Sequence, residues 1–278
     1  MSRSSEPQRG RHLKKFPLGM TCLVTGASSG LGRALSRELA QRGCRLLITG
    51  RQSPELEETR RECLEVGSPR VELFCADLTV PSERQTLWEW AGHHQVEALV
   101  NNAGAGVTGL WAEQSSETDS QQLALLLEAP LDLAKRWLWQ CRPTGRGYLL
   151  NIVSTGAYQP GPYTAVYYAA KAFLSSWSQA LSEELKGTGL VVTAAYPGAL
   201  KTAFASRAGR KPSPWSRQPS FAAKRIISAW ERGQVRIVPG VQETWAVFLS
   251  RLLPEAWSAH VVSRLQASLQ LTQKPKTH

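Results

Sequence analysis

Six short apolar runs, each followed by a stretch with helical periodicity, recur along most of the chain. The runs fall at 21–25, 45–49, 71–76, 98–101, 148–153 and 190–195. Helical patterns lie between them, around 31–42, 54–66, 82–94, 117–141 and 165–187, and a seventh short run at 235–238 follows a helix near 219–232. Stretches such as Leu46-Leu47-Ile48 and Ala98-Leu99-Val100 have no polar face, as expected of strands covered on both sides. Strands alternating with helices predict an α/β fold with one parallel, doubly wound sheet. A chain of 278 residues without internal repeats can form one substantial core of this kind.

The first run leads into Thr25-Gly26-Ala27-Ser28-Ser29-Gly30-Leu31-Gly32, after which Leu35 and Leu39 share one helical face. Strand, glycine-rich turn and helix start are the setting that a dinucleotide fingerprint requires. Gly26 permits a tight turn, and Gly30 and Gly32 permit close approach of backbone to ligand or of helix to sheet. Free amides at the helix start form an anion site for a pyrophosphate. The spacing is G-x-x-x-G-x-G, which differs from the commoner G-x-G-x-x-G.

Tyr167 and Lys171 stand one helical turn apart in Tyr-Tyr-Ala-Ala-Lys, with Ser154 upstream. Residues i and i+4 share a helical face, so the spacing brings the ammonium toward the phenol. A free tyrosine holds its proton up to a pH of about 10, and a nearby cation lowers that value. The spacing therefore predicts a Tyr167 tuned downward by Lys171, able to exchange a proton with a carbonyl oxygen that Ser154 orients. Tyr168 is the rival, but four residues beyond it stands Ala172.

The glycine turn, Asn101-Asn102-Ala103-Gly104, Ser154, Tyr167 with Lys171, and Pro197-Gly198 occur together and in this order. The chain resembles the classical short-chain dehydrogenase/reductase family over about residues 18–240. The resemblance implies a Rossmann-like domain and nicotinamide-dependent hydride transfer at a carbonyl or secondary alcohol carbon. It casts Tyr167 as general acid/base, Lys171 as ribose ligand and tuner of the tyrosine, and Ser154 as ligand of the substrate oxygen. The cofactor residues it implies are Gly26, Ser28, Ser29, Gly30, Leu31, Arg51, Asp77, Leu78, Asn102, Ala103, Gly104, Tyr167, Lys171, Pro197, Gly198 and Thr202. Asp77 resembles the aspartate that contacts adenine. A homodimer or homotetramer built on the helices at 117–141 and 165–187 is also implied, with Trp137, Trp139, Phe173 and Trp177 as interface aromatics.

Cofactor choice is read where the second strand ends. A carboxylate there suits the ribose hydroxyls of NAD, whereas arginine suits the 2′-phosphate of NADP. The chain has Thr49-Gly50-Arg51, and Arg33 adds a second cation beside the glycine turn. NADP(H) is expected in preference to NAD(H). The sequence departs from the family in the fourth helix, where an asparagine supports a lysine-bound water. The segment Leu123–Ala134 has no asparagine; alignment places Leu126 or Glu128 there. Pro130 cannot bond the carbonyl of Leu126, which would leave that carbonyl for the same purpose.

Net charge is +11, and between residues 187 and 230 no acid occurs. A basic lid after Pro197-Gly198, with Lys201, Arg207, Arg210, Lys211 and Arg217, suits an anionic or carrier-linked substrate, helps hold NADP, or serves solubility. No nucleic-acid module accompanies the charge. The stretch 1–17 reads as a basic disordered tail, 18–240 as the catalytic domain and 241–278 as an amphipathic helical extension and tail. The extension completes the pocket, packs on a partner or lies on a membrane surface. Five cysteines lack metal spacing, the histidines form no metal constellation, and no run spans a membrane, which fits a reducing cytoplasm. Two alternatives to a carbonyl reductase remain: a catalytically impaired NADP-binding regulatory protein, and a membrane-peripheral lipid or oxoacyl reductase.

Overall fold

Neighbouring residues of the central strands enter two different cores. In β1 (Thr21–Thr25), Cys22 and Val24 join one core and Leu23 the other; Leu46 and Ile48 oppose Leu47 in β2 (Arg45–Gly50). The same division separates Leu150 from Leu149 in β5 (Gly147–Ile152), which explains why these runs carry no polar face. A computed structural model describes residues 19–51, 54–252 and 255–269. Among them, β3 (Val71–Cys75), β4 (Ala98–Asn101), β6 (Leu190–Ala195) and β7 (Arg236–Ile237) complete one parallel sheet. Its order is β3-β2-β1-β4-β5-β6-β7, the predicted doubly wound, Rossmann-like arrangement.

One face is covered by α1 (Gly30–Ala40), α2 (Pro54–Glu65) and α8 (Pro219–Glu231), which contribute Leu35, Leu39, Leu56, Ile226 and the fully buried Trp230. The other is covered by α3 (Pro81–Gly92) and α5 (Ala129–Cys141), through Leu87, Leu133 and Trp137. The order reverses between β1 and β4. Because all strands run the same way, Gly26, Asn102, Ser154 and Pro197 leave the sheet at one edge, around that switch point.

The expected helix over 117–141 is interrupted. It consists of α4 (Ser116–Leu123), a π-helical turn (Ala124–Glu128) and α5. Within the turn the Ala129 N–H reaches back five residues to the Ala124 carbonyl, just before Pro130, whose missing N–H breaks the regular ladder. Next come α6 (Ala165–Glu184), the short α7 (Phe204–Arg207), α9 (Val241–Leu252) and α10 (Glu255–Leu269). The Lys211 N–H donates to the Leu269 carbonyl at 2.8 Å, fastening α10 to the basic lid. The tail at 1–17 and the end of the C-terminal extension at 270–278 lie outside the described residues. Among those described, no helix is long and apolar enough to cross a membrane.

Candidate active site

Thr25 ends β1 and organises the turn that follows. Its hydroxyl donates to the Val100 carbonyl at 3.2 Å and accepts from the Asn102 and Ala103 N–H groups, each at 3.0 Å. The Asn102 amide donates back to the carbonyls of Thr25 (2.9 Å) and Gly26 (3.2 Å). The Asn-Asn-Ala-Gly segment thus buttresses the glycine turn. Gly26 has φ +66°, and a Cβ there would stand 2.8 Å from the Ala103 Cα. At Gly32 a Cβ would run into the Gly26 carbonyl oxygen, so α1 starts directly against the turn. Ser29 is the N-cap residue, in extended conformation and without a side-chain cap bond, leaving first-turn amides of α1 free for an anion. The cradle fits a dinucleotide pyrophosphate. Ser28 lines it beside Gly50, and Leu31 packs on the core below.

The lid rests on this turn. Thr202 lies against Gly30, where a Cβ would be 3.0 Å from the threonine methyl, and Arg207 donates to the Ser29 hydroxyl at 3.4 Å. Arg207 was visible in sequence only as one charge in a basic run; the contact with Ser29 joins residues far apart in the chain. Gly198 packs on Glu243 of α9, and the Pro197 carbonyl accepts the Thr155 N–H at 3.1 Å.

Arg51 is exposed at the end of β2 and faces Asp77. Burial would raise the Asp77 carboxyl, but the Thr79 hydroxyl and N–H, with Arg51, hold it below its ordinary range. Those Thr79 bonds are 2.7 and 2.9 Å long. Leu78 is buried in the sheet core. Arg33 corrects the expectation of two available cations: it binds Glu58 at 2.9 Å and the carbonyls of Ser28 and Glu55 at 3.1 and 3.0 Å. Its charge is matched by α2, and Arg51 is the remaining phosphate candidate of the pair.

The catalytic candidates come together as their spacing predicts. The Tyr167 ring is enclosed by Gly106, Phe204 and Tyr168, and the Lys171 Nζ stands 5.8 Å from its centroid. The tuning differs from expectation. Burial pushes Tyr167 up to about 12; Ser154 opposes the rise, Tyr168 adds to it, and Arg210 opposes it. Burial lowers Lys171 to about 8, and its Nζ donates to the Ile152 carbonyl at 2.7 Å. The ammonium is directed toward the end of β5, so in the free chain desolvation outweighs its pull on the phenol. Ser154 Oγ accepts the Gly156 N–H at 3.1 Å, which leaves its own proton for another acceptor. Tyr168 has a different place: its ring packs on Gly156 and Gly161, and its hydroxyl accepts from Gln266 of α10 at 2.8 Å.

A cavity of about 10 Å³ lies beside Lys171, lined also by Asn101, Leu126, Ala129 and Pro130. That is the room one water needs. Leu126 is buried there, whereas Glu128 points to the α3 side and pairs with Arg84 at 3.4 Å. The Asn101 amide donates to the Pro130 carbonyl at 3.1 Å, tying the π-helical segment to the end of β4.

A family model described as short chain dehydrogenase matches residues 20–213, most of the chain. The chain belongs to the short-chain dehydrogenase family. An uncharacterized oxidoreductase of Myxococcus xanthus is 29% identical over 242 residues, covering 84% of this dehydrogenase and 92% of the relative. A very-long-chain 3-oxoacyl-CoA reductase of Vanderwaltozyma polyspora is 30% identical over 183 residues, 60% of this chain and 52% of that one. Among solved structures, a short-chain dehydrogenase from Sphingobium yanoikuyae in complex with NADPH superposes with a TM-score of 0.77 at 25% identity, covering 93% of this chain and 99% of that chain. Family and fold together make this dehydrogenase a nicotinamide-dependent oxidoreductase of alcohol and carbonyl groups. One expectation for its surface fails: Trp137 is fully buried and its indole donates to the Glu97 carbonyl at 3.2 Å, so it belongs to the core.

Proposed function

We propose that the chain is an NADP(H)-dependent carbonyl reductase or alcohol dehydrogenase in which Tyr167 is the general acid/base. The observation that carries this reading is the Tyr167 ring packed between Gly106 and Phe204 with Lys171 one turn away, beside the glycine cradle. Burial keeps the Tyr167 phenol protonated in the free chain, and stabilisation of the phenolate is what makes it a competent acid. Ser154, its lone pair taken by Gly156, directs its hydroxyl proton at the same substrate oxygen. As Tyr167 gives up its proton, the Lys171 ammonium stabilises the phenolate. NADPH, when bound, supplies hydride to the carbonyl carbon, and oxidation of an alcohol uses the same groups in reverse. Gly26, Ser28, Ser29, Gly30 and Leu31 would hold the pyrophosphate end and Arg51 the 2′-phosphate. Asp77, Leu78, Asn102–Gly104 and Pro197, Gly198 and Thr202 would line the rest. Buried cysteines without disulfides suit a reducing cytoplasm.

Consumption of NADPH with a panel of ketones and aldehydes tests the reading. Tyr167→Phe should keep the fold and NADPH binding and lose ~10²–10⁴ in turnover, the scale of a positioned acid. Tyr168→Phe should be the milder change, and the reverse ranking would move the acid to Tyr168. NADPH binding without turnover on any carbonyl would instead favour a regulatory protein. The exposed Trp245, Phe248 and Trp257 of α9 and α10 favour a second reading, a membrane-peripheral oxoacyl reductase. Flotation with anionic vesicles separates it from the first.

A further inference from the structure

The loop at 106–109 forms a wall above Tyr167 and is fastened on both sides. Gly106 backs the tyrosine ring, and a Cβ there would stand 3.4 Å from it. The Val107 N–H donates to Gln122 Oε1 at 3.2 Å, and the Thr108 N–H to the Ala208 carbonyl at 3.0 Å. This second bond joins the wall to the lid, two residues before Arg210. The Arg210 Nη1 donates to Gln266 Oε1 at 3.2 Å, and the other end of that buried amide donates to the Tyr168 hydroxyl. The guanidinium is therefore fixed next to the tyrosine pair, and its charge opposes the rise of both phenols.

Among the described residues its charge has no acidic counterpart. Arg33, Arg37, Arg42, Arg84 and Arg217 each contact a carboxylate, and Arg210 contacts none among the described residues. Buried donors around the same wall also lack acceptors. Among the described residues Arg210 Nε has none, nor has Gln122 Nε2, on a side chain only 5% exposed; the Thr108 hydroxyl likewise meets no partner there. Because Gln122 Oε1 is committed to Val107, the orientation of that amide is fixed, leaving its N–H₂ for something else. Buried donors without acceptors are costly, and they mark places that a ligand's oxygens fill. With Nη1 held by Gln266, the Nε–Nη2 edge remains, a planar fork that matches a carboxylate side-on.

We infer that the substrate is an oxo acid, or the corresponding hydroxy acid, whose carboxylate is gripped by Arg210 while its carbonyl meets Tyr167. This rests on Tyr167 as the proton donor and narrows the substrate from carbonyls in general to short carbonyl compounds bearing an anionic group. Arg210 is then a specificity-determining residue, with Gln266 its positioning residue.

Matched pairs test it: acetoacetate and levulinate against their methyl esters, with acetophenone as a neutral reference. Kinetics are measured for the wild type, Arg210→Met and Arg210→Lys. In parallel, each acid and ester is titrated calorimetrically into the full chain loaded with NADP⁺. The wild type should prefer at least one acid over its ester by about tenfold or more in kcat/KM, the scale of a charge-assisted hydrogen bond. Arg210→Met should reduce that ratio to about one, chiefly through KM, and abolish binding of the acid in the calorimeter. Arg210→Lys should retain part of the preference. Equal use of acids and esters, or equal loss of both in Arg210→Met, would overturn the inference while leaving Tyr167 chemistry intact. Failure of both acids to bind the loaded wild type would overturn it whatever the activity. Turnover of acetophenone unaffected by Tyr167→Phe would instead overturn the reading of Tyr167 on which it rests.

Discussion

Lys171 and Tyr167 are displaced in opposite directions by the same cause. Burial brings the lysine down to about 8 and takes the tyrosine up to about 12, so the lysine titrates first as pH rises. The ammonium is present below about 8 and lost above it, whereas the phenol stays protonated throughout that range. For ketone reduction, kcat/KM for NADPH should therefore fall through an alkaline limb near pH 8 that reports Lys171. In Lys171→Arg, which keeps its charge, the limb should move well upward even if the overall rate drops; a limb that stays in place would assign it elsewhere. Arg51 carries a second residue-scale prediction. With Arg33 paired to Glu58, Arg51→Asp should weaken NADPH binding more than NADH binding, because a carboxylate replaces the remaining phosphate partner. An unchanged ratio of the two affinities would return cofactor choice to other groups. The pairing of Tyr167 with Lys171 was legible because four-residue spacing on a helix is a local property, and Ser154 was legible only through the family resemblance. Their tuning was not, since desolvation depends on what the rest of the chain packs around them.

At the scale of elements, the segment joining α4 to α5 is the most informative. Its π-helical turn ends just before Pro130, and the small cavity next to Lys171 opens between Leu126 and Pro130. Replacing Pro130 with Ala restores an N–H donor and allows a regular helix, which should raise stability by up to ~3 kcal/mol. Turnover should nevertheless fall if straightening the turn closes the cavity beside Lys171, where a water would relay protons. Thermal unfolding and kcat measured on the same preparation check the pair of effects. Equal turnover would remove the turn from proton transfer, and joint loss of stability and activity would make the bend a packing requirement. The strands were legible to within about a residue because their apolar runs serve two cores at once. The π-helical turn was not: the proline announced a break, but the shift to five-residue bonding depends on packing against β4, including the Asn101 bond to the Pro130 carbonyl.

For the whole molecule, we propose the outer surface of α4–α6 as the subunit interface, with Trp137 now assigned to the core. Trp139 and Phe173 are 66% and 45% exposed. Light scattering should give at least a dimer, and a mass near 30.6 kDa at micromolar concentration would reject it. Trp139→Ser should weaken association, whereas Trp137→Ala should lower stability by ~3–5 kcal/mol, as for other buried tryptophans. The family resemblance marked both tryptophans as interface aromatics, and only the assembled helix orientation separates them. The lid contacts were equally out of reach of the sequence, since Arg207 meets Ser29, and Gln266 meets Tyr168, only after the sheet has formed. In the proposed reaction NADPH bound at this sheet edge would deliver hydride to a carbonyl carbon while Tyr167 supplies the proton. NADPH deuterated at the transferable position, incubated with the protein and the carbonyl panel, tests it directly when the alcohol is examined by mass spectrometry. One deuterium on the carbinol carbon with the wild type, and its near disappearance with Tyr167→Phe, is the predicted result. No label in any product despite saturable NADPH binding, or equal labelling in the Tyr167→Phe variant, would contradict the account.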